Sequence, residues 1–157
     1  MIDPERLLDI VGLRTVSKEH PLYSPKKYQR GGVWPWQLAL AIAGVRNYNL
    51  DIVPFINCLK NISQNGSIAE VYIPDNPKPV PLTSCIEQRW SSAIPWLALV
   101  EGLLGISIDY NEKIKFKPIT MGIDLVPLHI EGIQFYSEKY NVILNKNKSG
   151  ELKKAGK

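Results

Sequence analysis

Four prolines lie within one stretch of eight residues in the middle of this sequence, at positions 74, 77, 79 and 81. Proline fixes φ and has no backbone N–H, so this stretch cannot form a helix or an inner strand. The flanking residues include Val71, Tyr72 and Trp90, and this apolar content argues against disorder. Because a long ordered loop in a compact protein is usually functional, we interpret residues 68–93 as a binding loop with the carboxylate of Glu70 at its mouth.

Apolar residues recur at helical spacing in four segments of the first two thirds of the chain. They cover residues 3–12, 34–45, the segment from Ile52 to the Asn65–Gly66 pair, and 91–104. The last of these is apolar nearly all round, so a helix there needs neighbours on both sides. The sequence therefore predicts a mainly α protein, with about four helices within residues 1–105.

After Gly105 the apolar period changes from that of a helix to that of a strand. The alternation predicts about five short strands and a small antiparallel β unit over residues 106–146. Residues 147–157 are rich in lysine and are expected to form a basic flexible tail. The formal net charge of +4 owes much to this end of the chain, and no RNA- or DNA-binding motif accompanies it, so we expect no nucleic-acid partner.

Several classes of protein are disfavoured by composition. Two cysteines are too few for a disulfide framework, and no apolar run reaches the roughly 18 residues of a membrane span. The first residues are charged and no apolar signal segment follows them. We therefore expect a cytoplasmic protein with no membrane partner.

Few side chains in the sequence are candidates for catalysis or metal binding. His20 and His129 are isolated, Cys58 lies on a predicted helix face, and Cys85 has no histidine near it in sequence. We therefore predict no metal and no cofactor. A loop carboxylate with tryptophans on either side suits a sugar site, because aromatic rings stack on sugar faces and carboxylates perform the acid and base work of glycoside hydrolysis.

Two motifs early in the chain resemble a known family. Residues 12–17 read Gly-Leu-Arg-Thr-Val-Ser, and residues 28–35 read Tyr-Gln-Arg-Gly-Gly-Val-Trp-Pro. Together they resemble the loop and Trp-Pro signature of the glycogen-debranching, amylo-α-1,6-glucosidase-like six-hairpin glycosidases.

Later residues extend this resemblance over nearly the whole chain. Glu70, followed by Cys85, Gln88 and Trp90, is similar to the family's glutamate loop and its Cys-x-x-Gln-x-Trp segment. The Leu-Leu-Gly of residues 103–105 and the strand pattern after it resemble the family's helix end and C-terminal β unit.

The resemblance implies a partial (α/α)6 toroid followed by the β unit, and a hydrolase acting on α-glucosidic bonds of an oligo- or polysaccharide. Glu70 would be the general base of an inverting mechanism. The side chains implied to contact sugar are Arg14, Tyr28, Arg30, Trp34, Trp36, Gln88 and Trp90. Other roles remain open: an ion pair with Arg89 or a helix cap for Glu70, core packing for the tryptophans, and surface ion pairs for the arginines.

The resemblance covers only the last third or so of such an enzyme, and the family's general acid lies on the earlier part. It implies a partner, either a separately encoded N-terminal part or a second copy through self-association. The alternative function is a non-catalytic remnant or subunit that binds carbohydrate.

Overall fold

The computed structural model describes residues 6–64, 66–81, 83–111, 113–119, 127–145 and 149–156. The chain divides into two compact units, Met1–Gly102 and Leu103–Lys157. The described residues form a few helices and three small antiparallel sheets, so the protein is mixed α/β. The prediction of a mainly α fold built on a partial (α/α)6 toroid with about four helices is wrong.

A hairpin of two-residue strands takes the place of the first predicted helix. Strand β1 (Leu8–Asp9) pairs antiparallel with β2 (Gly12–Leu13). Gly12 has φ +141°, and a Cβ there would lie 2.8 Å from Val33 Cγ1, so close packing requires glycine. The predicted helix start at residues 3–5 lies outside the described residues.

Two regular helices follow, α1 (Pro35–Asn47) and α2 (Val53–Ser63). Each has a proline in its first turn, where the missing N–H costs nothing because it would have no partner within the helix. The two helices pack against each other. Their buried side chains include Leu38, Ile42, Val45, Phe55, Ile56, Cys58 and Ile62.

The third helical region is interrupted. It consists of α3 (Arg89–Ser92), α4 (Ile94–Leu97) and a π-helical segment (Ala98–Leu103). Pro95 explains the break, because it has no N–H to donate and its ring excludes the carbonyl one turn earlier. A Cβ at Gly102 would lie 2.3 Å from Ile42 Cγ2, so this segment lies directly against α1.

The described residues of the second unit form five strands. Strands β3 (Ile106–Ile108) and β4 (Ile114–Phe116) form one hairpin. Strands β5 (Leu128–Phe135), β6 (Glu138–Leu144) and β7 (Gly150–Lys154) form an antiparallel sheet in the order β5-β6-β7.

Two features of this sheet differ from the predicted pattern. Two of the expected short strands are one strand, β5, with a register shift between Ile130 and Ile133 and a glycine at φ +70° within it. Residues 150–154 belong to β7 instead of a flexible tail, so that prediction is wrong for them. Half-buried Leu152 pairs with buried Val142, and the lysines around Leu152 concealed this strand pattern.

Within the described ranges, no helix has the length and apolar character needed to cross a membrane.

Candidate functional site

Backbone hydrogen bonds on both sides hold the segment that carries Glu70. Val33 and Tyr72 exchange two of them, with N–H to C=O distances of 3.0 and 2.8 Å. On the other side, the Val80 N–H donates to the Val71 C=O at 3.0 Å. Pro74 and Pro77 lie in the turn between these paired segments, and Pro79 pairs with Tyr72 at a position where its missing N–H leaves the hydrogen bonds of Ile73 and Val80 intact.

Glu70 is anchored twice by Cys85. Its N–H donates to the Cys85 C=O at 2.8 Å, and the Cys85 N–H donates to Glu70 Oε2 at 3.2 Å. The other carboxylate oxygen, Oε1, accepts no hydrogen bond from the described residues, and the side chain is half-buried. A carboxylate fixed through one oxygen and free at the other is suited to accept a proton from a water molecule.

The alternative roles considered for Glu70 are not seen. Among the described residues no cation lies within ion-pair distance of its carboxylate, and Arg89 is exposed at the start of α3. No side chain caps α3 either. The carboxylate therefore keeps its negative charge unpaired within this part of the chain.

Gln88 and Trp90 lie beside this anchored segment. The Gln88 N–H donates to the Ile68 C=O at 3.3 Å, two residues before Glu70. Gln88 Oε1 accepts a 2.6 Å hydrogen bond from the hydroxyl of buried Ser91, so its carbonyl end is already engaged. Trp90 is 70% exposed, and its ring is available for stacking.

The other predicted aromatic contacts belong mostly to a core cluster. Trp34 is buried with Val71 and Val80, and Trp36 packs against this cluster while half-buried. The ring of Tyr28 lies edge-on to Trp34, with centroids 5.2 Å apart and an interplanar angle of 80°. Trp34 is therefore a core residue that packs against the proline loop at Val71 and Val80.

Arg14 is buried in an ion-pair cluster. Its guanidinium binds the carboxylate of Asp9, donates to the Leu8 C=O at 3.0 Å and lies 3.4 Å from Asp75 Oδ1. Asp75 also pairs with Lys18 at 3.1 Å. The guanidinium that the resemblance assigns to sugar is therefore engaged in joining the N-terminal hairpin to the proline loop.

The pKa values of this cluster reflect its burial. Loss of solvent raises the pKa of Asp9, although the Asp75 N–H and the charge of Arg14 act in the opposite direction. The hydrogen bond from the Lys18 ammonium is the largest effect on Asp75 and lowers its pKa. Burial, and after it the charge of Asp9, raises the pKa of the Cys58 thiol to about 12, so this thiol stays protonated near neutral pH.

Sequence reasoning missed Asp9 and Asp75. A signal was present, because an arginine within the apolar run at residues 7–16 must find a carboxylate if it is buried. Asp9 lies five residues before Arg14 in this run and could have been proposed as the partner, whereas Asp75 lies 61 residues after Arg14 and has no local signal. In the described part of the chain, no group of three or more His, Cys, Asp or Glu side chains is placed to hold a metal ion.

Tyr28 and Arg30 share a different location from Glu70. Both line an open cavity of about 550 Å³ on the loop between β2 and α1, and Glu70 is not among its lining residues. The predicted site residues therefore divide into three groups. These are a Glu70 site with Gln88 and Trp90, a cavity with Tyr28 and Arg30, and the structural side chains Arg14, Trp34 and Trp36.

Comparison of the chain with protein-family models and with curated proteins gives no match.

Proposed function

We propose that this chain is the C-terminal portion of a cytoplasmic glycoside hydrolase of the debranching type, acting on α-glucosidic bonds, with Glu70 as its general base. The observation that supports this most directly is the geometry of Glu70. Its carboxylate is fixed through Oε2 by the Cys85 N–H, while Oε1 is free and no described cation neutralises it. The resemblance of the surrounding motifs supplies the substrate class.

In this mechanism Glu70 removes a proton from the water that attacks the anomeric carbon. An inverting reaction needs a second carboxyl group, roughly 6.5–9.5 Å away on the opposite face of the sugar, to protonate the leaving oxygen. We assign that acid to a separately encoded N-terminal part. Glu70 thus supplies half of the catalytic pair.

Trp90 is the best candidate for a sugar-stacking side chain. It follows Gln88 by two residues and therefore lies close to the anchored glutamate segment, and most of its surface is exposed. An exposed indole offers a flat apolar face to a sugar ring.

We expect Trp90→Ala to weaken binding of maltoheptaose by about three- to ten-fold, the range that aromatic contacts of this kind contribute. Titration calorimetry on the full chain measures this. The matched control is Trp96→Ala, which removes another half-exposed tryptophan from the neighbouring α4. Equal losses in both variants would contradict a specific role for Trp90. Oligosaccharide binding without any turnover that depends on Glu70 would support the alternative of a non-catalytic carbohydrate-binding subunit.

The first unit also exposes many large apolar side chains. They are Ile10, Leu22, Tyr28, Leu40, Tyr48, Leu50, Ile86, Trp90, Trp96 and Leu97. Where such side chains form one contiguous patch they usually mark a partner surface, whereas single exposed apolar residues are ordinary. We expect the isolated chain to self-associate at micromolar concentration, as measured by analytical ultracentrifugation. A monomer that binds no dye for apolar surface would contradict the need for a partner.

A further inference from the structure

The cavity of about 550 Å³ on the loop between β2 and α1 has a distinctive lining. No lining residue is an acid, and one of them, Arg30, carries a positive charge. The other polar lining residues are Thr15, Ser17, His20, Tyr28 and Gln29. The volume lies within the range of small-molecule sites.

Positive charge around this cavity is not compensated. The guanidinium of Arg30 forms no ion pair or hydrogen bond with a described residue, and Lys26 and Lys27 nearby in the loop are exposed. Two acidic residues near these groups already have cationic partners. Glu19, which is next to His20 in sequence, lies 3.6 Å from Arg6, and Asp75 pairs with Lys18. An anion would therefore meet an unopposed guanidinium.

Two further donors line the same cavity. His20 Nδ1 accepts a hydrogen bond from the Leu22 N–H at 3.1 Å, so in the neutral ring the hydrogen is on Nε2, which can donate. The Tyr28 hydroxyl is the second, and the ring that carries it is held edge-on to Trp34. Arg30, His20 and Tyr28 thus supply donors to one cavity that offers no carboxylate acceptor.

We propose that this cavity binds the phosphoryl group of a small anionic ligand, such as a sugar phosphate. The planar guanidinium of Arg30 matches a phosphate with two parallel hydrogen bonds, an arrangement that a lysine cannot make. The His20 and Tyr28 donors serve the remaining phosphate oxygens or a sugar hydroxyl. This site is separate from Glu70 and goes beyond the proposed hydrolysis.

The test is titration calorimetry of the full chain with glucose 6-phosphate, inorganic phosphate, glucose and glucuronate at low salt. We expect the two phosphates to bind and glucose to show no heat of binding. Arg30→Gln should weaken phosphate binding about ten-fold or more, because a charge-assisted pair of hydrogen bonds is lost. Raising the salt concentration should weaken it too.

The matched control is Arg89→Gln, which removes the same charge from an exposed arginine outside the cavity and should change the affinity less than about two-fold. His20→Gln provides a second variant and should cost a smaller, several-fold loss. Circular dichroism checks that each variant is folded.

Tighter binding of glucose 6-phosphate identifies a sugar phosphate as the ligand, and equal binding of inorganic phosphate identifies the free anion. Absence of phosphate binding, equal losses in Arg30→Gln and Arg89→Gln, or glucuronate binding as tight as phosphate would each overturn the proposal. These titrations measure binding and do not depend on hydrolysis, so a negative result would leave the proposed role of Glu70 untouched.

Discussion

A chain carrying Glu70→Gln is expected to hydrolyse α-glucosyl fluoride about two to four orders of magnitude more slowly than the unaltered chain. Fluoride departs with far less protonation than a sugar alkoxide, so this substrate tests the base without the missing acid. The glutamine keeps the size of Glu70, and its carbonyl oxygen can still accept from the Cys85 N–H, but it cannot take a proton from water. Fluoride release, followed with an ion-selective electrode, measures the rate.

Glu87→Gln is the control for this experiment. Glu87 is an exposed carboxylate of the same segment and forms no ion pair among the described residues, so its removal should change the rate less than about two-fold. An unchanged rate in Glu70→Gln would refute the assignment of the base.

Substrates that need an acid should behave differently. We expect no hydrolysis of maltose, isomaltose or a nitrophenyl glucoside by the isolated chain, because the general acid is assigned to a partner. Turnover of maltose that disappears in Glu70→Gln would show that the chain contains its own acid.

The sequence located the regular helices because their stability follows from local pattern. Leu38 and Ile42 are four residues apart, and both are fully buried on α1. Pro35 and Pro54 stand where a helix tolerates proline. Spacing of this kind, with a tolerated first-turn proline, is read directly from a sequence.

The prediction of about four helices failed where spacing alone was followed. Residues 7, 8 and 11 have helical spacing, yet the contacts of Gly12 with Val33 and of Arg14 with Leu8 produce a hairpin. The segment 91–104 was predicted as one helix, but the helical region is interrupted near Pro95, which has no N–H to donate. Tertiary contacts at the hairpin, and the missing N–H of Pro95 in the third helical region, outweighed the weak local preference for helix.

The site shows the same limit. Motifs in the sequence single out Glu70 as a candidate base, but its anchoring by Cys85 is a hydrogen bond between loop residues 15 positions apart, which the motifs do not predict. Likewise, the sequence does not reveal that Arg14 is buried against Asp9 while Arg30 is exposed in a cavity. Both arginines belong to motifs that resemble those of the family. Only their different burial distinguishes Arg14, which is structural, from Arg30, which we propose as a binding residue.

Arg14→Met is expected to destabilise the first unit by about 3–5 kcal/mol, because it leaves the carboxylate of Asp9 buried without its cation. The side chain of Asp9 is fully buried in the ion pair, and that of Arg14 is 3% exposed. Urea unfolding followed by tryptophan fluorescence measures the loss, since all four tryptophans lie within Met1–Gly102.

Asp75→Asn is the control for Arg14→Met, because it alters the same cluster at a carboxylate that is 61% exposed, where an ion pair contributes only about 0–1 kcal/mol. Asp9→Asn combined with Arg14→Met should recover part of the lost stability, since it removes the unpaired charge. A loss below about 1 kcal/mol in Arg14→Met alone would show that the cluster does not hold the hairpin to the proline loop.

The destabilisation in Arg14→Met should also depend on pH. Burial already raises the pKa of Asp9 in the folded chain, and removal of the Arg14 charge takes away an interaction that lowers it. A carboxyl whose folded pKa exceeds its unfolded pKa binds more protons when folded, so its contribution to stability falls as the pH rises through the folded pKa. The loss caused by Arg14→Met should therefore shrink as the pH is lowered through the folded pKa of Asp9, where the carboxyl takes up a proton and no longer needs a cation. A loss that stays equal throughout a pH titration would mean that Arg14 stabilises the hairpin through packing and its hydrogen bond to Leu8, with little contribution from its charge.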